Sequence, residues 1–135
     1  MKVVIDTHCL LASIPPKSTH YWLYQAFERC AFEWALSNEI MSEYEEKLAE
    51  KYSQSTADLV LNILSIAPNT IFAEPFYRWQ LIVQDADDNK FVDLAISIGA
   101  DYLITNDKHF NILKSIDFPK VSVVSLEEFK EMIAV

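Results

Sequence analysis

An α/β fold built on an open parallel sheet is what this chain predicts, on three observations. Strand-like and helix-like runs alternate from end to end. The single glycine, Gly99, stands where an amphipathic run should stop. Two apolar runs, Val3-Val4-Ile5 and Tyr102-Leu103-Ile104-Thr105, lead to Asp6 and Asp107, and ligands of such sheets bind beyond the carboxyl ends of the strands.

Residues 2–6 predict a first strand. Pro15-Pro16 demands a loop, because proline lacks an N–H and restricts its predecessor, and a helix is expected from about His20 to Arg29. Phe32, Trp34 and Leu36 alternate with Glu33 and Ala35 as a short strand. Two helices follow, from about Asn38 to Tyr52 with Ile40, Met41, Tyr44 and Leu48 on one face, and from about Ser55 to Ile66 with Leu59, Val60, Ile63 and Leu64. Pro68 ends that pair, and Thr70-Ile71-Phe72 reads as a third strand. The stretch Phe76 to Val83 is compatible with a loop or a short helix. From Asp87, Phe91, Leu94, Ala95 and Ile98 recur at spacings of three and four before Gly99, a helix with a left-handed stop. A strand at 101–105, a helical turn near Phe110 to Lys114, a strand at 121–124 and a last helix complete the chain. Ser125 with Glu128 forms a capping-box pattern at that last helix.

At 135 residues with 51% hydrophobic content the chain has the size and apolar fraction of one globular domain, 1–135. No apolar run approaches the roughly 18 residues of a membrane helix, and the start lacks a signal-peptide pattern, so a cytoplasmic protein with no membrane partner is expected. Cys9 and Cys30 have no close-spaced partner and predict two reduced, buried thiols. The net charge of -9 argues against nucleic-acid binding through a broad basic surface. A metal-dependent nuclease remains compatible, because a bound cation reverses the potential inside an acidic pocket.

Four acids, Asp6, Glu43, Asp88 and Asp107, lie where such a fold points them toward one mouth. Carboxylates about 5 Å apart repel by roughly 3 kcal/mol per pair at an effective dielectric near 20, unless some protonate or a cation intervenes. An all-oxygen set suits Mg2+ or Mn2+. Each acid also has a plainer reading alone: Asp87 or Asp88 as a helix cap, Glu43 as a solvated helix charge. On a helical wheel Glu43 flanks the apolar face, which keeps an inward role open.

The runs Val4-Ile5-Asp6-Thr7-His8-Cys9-Leu10-Leu11, Ser37 to Leu48, Asp85 to Ala95 and Gly99 to Asp107, in this order and spacing, resemble the PIN-domain proteins. Within them the chain is most similar to the VapC-like ribonuclease toxins of toxin-antitoxin pairs. The resemblance implies a three-layer α/β/α sandwich around a mostly parallel sheet and a Mg2+- or Mn2+-dependent endoribonuclease. It places the catalytic acids on Asp6, Glu43, Asp88 and Asp107, the metal ligands on Asp6, Asp88 and Asp107, and a polar residue that arranges the site on Thr105. It further implies an RNA substrate, a homodimer and a small antitoxin partner. Asp85, Asp87 and Asp93 are read as surface or capping residues, Asp93 lying about 140° round the helix from Asp88.

His8 departs from the family pattern, which has Asn at this position. An imidazole can orient the neighbouring carboxylate or ligate metal, but it also titrates near neutral pH. Lys90 and Lys108, adjoining Asp88 and Asp107, are the first candidates for RNA phosphates. Lys17, His20, His109, and Arg78 with Tyr77 and Trp79, are further ones, the aromatic group having the competing reading of a loop packed on the core. Three alternatives stand beside the nuclease. A phosphoacceptor receiver would need an acidic pair after the first strand, and a haloacid-dehalogenase-type phosphatase would need Asp at position 8. A non-catalytic PIN module binding RNA or protein agrees with the negative charge and with His8.

Overall fold

The computed structural model describes residues 1–14 and 17–133. The loop expected at Pro15-Pro16 falls outside the described residues. Five strands, β1 (Lys2–Ile5), β2 (Glu33–Leu36), β3 (Thr70–Phe72), β4 (Tyr102–Ile104) and β5 (Val123–Val124), pair in the order β3-β2-β1-β4-β5, all parallel. Val3, Val4 and Ile5 are wholly buried, as the central strand of a sheet covered on both faces must be. Between strands run α1 (Thr7–Ser13), α2 (Trp22–Glu28), α3 (Asn38–Lys51), α4 (Gln54–Ile66) and α5 (Asn89–Ile98), and α6 (Leu126–Ile133) ends the chain. The order of strands reverses at β1: the connections from β1 to β3 step one way and those from β3 to β5 the other. Right-handed crossovers therefore place α1 to α4 on one face and α5 on the other, the three layers of an α/β/α sandwich.

The local signals act as their chemistry requires. Gly99 closes α5 at φ 62° and ψ 46°, a left-handed stop. Ser125 Oγ accepts from the Glu128 N–H at 3.1 Å while Glu128 Oε1 accepts from the Ser125 N–H at 2.9 Å, completing the capping box of α6. Ser37 and Ser53 cap α3 and α4. Residues 73–85 form a loop until a short 3-10 turn at Ala86–Asp88.

One element had no sequence expectation, and one local expectation needs correction. Helix α1 begins immediately after Asp6, in a stretch that carries too few residues for a helical period to show. Cys30 is exposed, at positive φ (59°) in the turn after α2, whereas Cys9 is buried; neither forms a disulfide.

The β2 flank of β1 is fastened by buried polar groups. Tyr44 of α3 donates its hydroxyl to the Ile5 carbonyl at the end of β1 and accepts from Trp34 Nε1 of β2 at 3.3 Å. Asn69 donates to the Phe27 and Phe32 carbonyls, both at 2.9 Å, closing the loop that enters β2. Tyr44→Phe should therefore cost about 1–3 kcal/mol, because it leaves the Ile5 carbonyl and the Trp34 N–H without this partner in the core. Urea unfolding should show a lower midpoint with an unchanged slope; an unchanged midpoint would show that these buried bonds contribute nothing net.

Candidate metal centre

The carboxyl ends of β1 and β4 lie side by side, and their following residues build one polar cluster. Asp6 is buried and caps α1, its Oδ1 accepting from the Cys9 N–H at 2.9 Å. Its Oδ2 accepts from the Thr105 hydroxyl, and Thr105 Oγ1 in turn accepts from the Asp107 N–H at 3.0 Å. Asp107 caps the 3-10 turn Lys108–Ser115, its Oδ1 accepting from the His109 N–H at 2.9 Å. The His109 ring returns over the site, with Nδ1 3.5 Å from Asp107 Oδ1 and 3.5 Å from Asp88 Oδ2.

Glu43 reaches the same cluster from α3, one residue before the Tyr44 anchor. Its Oε2 accepts from the Thr7 hydroxyl, beside Asp6, and its Oε1 pairs with Lys90 Nζ of α5 at 2.7 Å. Lys90 also donates to the Asp87 carbonyl at 2.7 Å. Thr105 thus joins Asp6 to Asp107, Glu43 bonds Thr7, the residue after Asp6, and Asp88 stands 3.5 Å from the His109 ring without a hydrogen bond to it.

Asp88 stands at the N-cap position of α5 yet makes no capping hydrogen bond, which removes the plain reading of this residue. Its Oδ2 and the His109 Nδ1 are buried atoms without a hydrogen-bond partner. Burial, with Asp85 and Asp107 adding repulsion, pushes the Asp88 carboxyl up to about 6, against the pull of His109. A ligand atom from each of Asp85, Asp88 and His109 lies within 4.8 Å of the others. Asp85 caps the 3-10 turn, its Oδ1 accepting from the Asp87 N–H at 3.1 Å, as expected of a surface or capping residue; it and His109 are the candidate ligands that sequence reasoning did not name. The signal for Asp85 was its spacing of three from Asp88, which a 3-10 turn brings to one side; His109 carried no such signal. The orphaned oxygen and nitrogen, among crowded carboxylates, fit a divalent cation.

The cations lie differently from their sequence expectation. Lys90 is only 8% exposed and is committed to Glu43, so it locks the acid and is not free to take phosphate. Lys108 is exposed, and together with Lys114, Asp107 and Asn111 it lines a cavity of about 150 Å³ beside the site. His8 is exposed and, with Asp6, Cys9, His20, Asn106 and Asp107, lines a second cavity of about 370 Å³. The buried Cys9 thiol is held protonated, by burial first and then by the Asp6 charge.

The raised Asp88 value has a defined sign. Ionised Asp88 is disfavoured in the fold, so its contribution to stability is greatest below its ordinary value near 3.8 and is lost as pH rises through about 6. In chelator, Asp88→Asn should melt higher than the unmodified protein at pH 7, with the gain shrinking as pH falls to 4. Melting curves between pH 4 and 7 check this, and a gain independent of pH would refute it.

The family profile of the PIN domain matches residues 2–109 of the chain. No curated protein sequence matches it. Among solved structures, the chain is similar to VapBC2 from Rickettsia felis bound to a DNA fragment of its promoter, at TM-score 0.64 and 19% identity over 93% of this chain and 98% of that one. It is also similar to FitAcB from Neisseria gonorrhoeae, at TM-score 0.59 and 14% identity over 93% and 98% of the two chains. The RRP44 PIN domain of T. brucei superposes at TM-score 0.52 and 14% identity over 96% and 79%. At these identities the structures show a shared fold, and the profile over most of the chain shows the lineage: this chain belongs to the PIN-domain family.

Proposed function

We propose that this protein is an endoribonuclease dependent on Mg2+ or Mn2+, and that it serves as the toxin of a toxin-antitoxin pair. The observation that supports the reading is the buried, partnerless Asp88 Oδ2 and His109 Nδ1, 3.5 Å apart, at the sheet edge where Thr105 also joins Asp6 to Asp107. A divalent cation held by Asp88 with Asp6 and Asp107, and with Asp85 and His109 beside them, would neutralise phosphate charge and lower the pKa of a water. Asp6 is oriented by the Cys9 N–H and Thr105, and Asp107 is fixed by its own turn. Glu43, released from Lys90 as substrate enters, would orient the attacking water. Exposed Lys108, which lines a cavity with Asp107, would meet a phosphate outside the acids.

The toxin role is supported by fold likeness to VapBC2 and FitAcB, both toxin-antitoxin assemblies. A cavity of about 320 Å³ between α1, α2 and α4, lined by Leu10, Ile14, Tyr24, Leu59 and Ile63, suits an apolar helix of a small antitoxin. The homodimer implied by the resemblance and the cytoplasmic location belong to the same proposal. No helix among the described residues is long and apolar enough to cross a membrane. One observation favours the second reading, a non-catalytic module: both Glu43 oxygens are already engaged, by Thr7 and Lys90.

Purified protein freed of any partner should cleave labelled RNA with magnesium or manganese and not in chelator. Single changes of Asp6, Asp88 or Asp107 to Asn, or Glu43→Gln, should each remove at least about 99% of the activity, since residues acting as a unit are non-additive. Asp87→Asn is the control; Asp93 is a poor one, because its Oδ1 accepts from the Trp79 N–H. Cleavage that survives chelator or Asp6→Asn would falsify the mechanism, and no cleavage of any RNA shifts weight to the non-catalytic module.

His8 lines the Asp6 cavity from an exposed position. His8→Asn should retain activity and leave the pH-rate profile unchanged if His8 only orients neighbours. A loss of metal affinity, read by isothermal titration with manganese, would instead make it a ligand.

A further inference from the structure

The acidic centre has two unlike ends. At one, Glu43 of α3 has both carboxylate oxygens engaged: Oε2 accepts from the Thr7 hydroxyl, and Oε1 lies 2.7 Å from Lys90 Nζ. The lysine is held as firmly as the acid. Its Nζ donates to the Asp87 carbonyl at 2.7 Å and stands 5.5 Å from the centre of the Phe91 ring, and its side chain is only 8% exposed. At the other end lie donors without partners. Asp88 Oδ2 and His109 Nδ1 are buried and unpaired, and a ligand atom of Asp85 lies within 4.8 Å of one from each of these residues. Asp6 sits between, with one oxygen on the Cys9 N–H and the other on Thr105.

We infer, on the metal-dependent reading above, that Lys90 stands in for a second metal ion, so that the substrate-free centre binds one divalent cation, at Asp88, and not a pair. Two-metal hydrolytic centres hold their ions about 3.5–4 Å apart, and each ion needs carboxylate oxygens of its own. Glu43 is the acid that reaches this cluster from α3. An ion on its Oε1, at about 2.1 Å, would lie within about 5 Å of the Lys90 ammonium, since that nitrogen is itself 2.7 Å from the oxygen. The repulsion is twice that between two unit charges, and it grows as the effective dielectric falls around a side chain this buried. Moving Lys90 away would leave two opposite charges unpaired in a nearly closed place.

The chain itself sets this division. Asp88 has helical backbone angles, and two residues along a helix are about 200° apart, so Asp88 meets His109 while Lys90 meets Glu43 on α3. Other charged groups near Lys90, namely Glu39, Arg78 and Asp93, line a cavity of about 330 Å³ with it. Asp93 Oδ1 is taken by the Trp79 N–H, and among the described residues Glu43 is the acid within ion-pair distance of Lys90. An ammonium differs from a metal ion in what it supplies. It offsets the Glu43 charge but coordinates no water, so activation of water falls to the ion at Asp88. Being part of the chain, it also does not dissociate when metal is scarce.

Isothermal titration of the metal-free protein with Mn2+ counts the ions per chain. The unmodified protein should bind one. Lys90→Met and Lys90→Gln remove the charge, the second keeping a hydrogen-bond donor for Glu43, and each should bind two; adding Glu43→Gln to either should return the count to one. Lys90→Arg keeps the charge and should stay at one. Electron paramagnetic resonance gives a second readout, with the resolved hyperfine lines of an isolated Mn2+ in the unmodified protein and the spin-coupled signal of a neighbouring pair in Lys90→Met. A cooperative melting curve in chelator shows that each variant is folded. Two ions bound to the unmodified protein would overturn the inference, as would a single ion on folded Lys90→Met and Lys90→Gln. Should neither neutral variant fold, the count and the spin spectrum of the unmodified protein still decide between one ion and a pair. Failure of the metal-dependent reading shows separately, as no manganese bound to the unmodified protein at all.

Discussion

The Asp6 carboxylate is the point on which the polar half of the molecule is assembled. One oxygen starts α1 by accepting the Cys9 N–H, and the other takes the Thr105 hydroxyl at the end of β4. A buried carboxylate is tolerable only when its lone pairs are satisfied, and both partners come from elements that the central strand must meet anyway. Thr105 passes the constraint on by accepting the Asp107 N–H, so the second acid is positioned by the first. From the other side, Tyr44 donates to the Ile5 carbonyl, which sets the rotation of α3 and brings Glu43 to Thr7. The site is therefore a consequence of how β1 is tied to its neighbours.

Such an arrangement concentrates negative charge, and the structure shows how the cost is partly met without a cation. Lys90 neutralises Glu43 in a nearly closed environment. Asp88 is left with burial and the repulsion of Asp85 and Asp107, and only the His109 ring opposes them. The residual imbalance is thus localised at Asp88. A divalent ion would correct it there.

The loop 73–85 answers to the same economy of anchors. Asn89 and Asp93 of α5 spend their side chains on backbone groups of the loop, which is why Asp93 is buried and raised above the ordinary carboxylate range by that burial. The helix that follows Asp88 thereby also positions the loop backbone at Trp79 and Ile82.

The sequence by itself determined the α/β class and the order of elements from β2 onward, because each has a local or one-dimensional signature. Alternating apolar runs marked β2, the helical period marked α3 to α5, Gly99 and Ser125 marked ends, and Asp6 and Asp107 followed strands. Helix α1 was not legible, since seven residues carry too few turns for a period to show and its cap is the very residue read as a ligand. Tertiary structure alone decided that Lys90 belongs to Glu43, that Asp85 and His109 join Asp88, and that Cys30 is exposed while Cys9 is not. These facts depend on where side chains from distant elements meet, and Coulomb and hydrogen-bond energies fall off over a few ångströms that spacing along the chain does not encode.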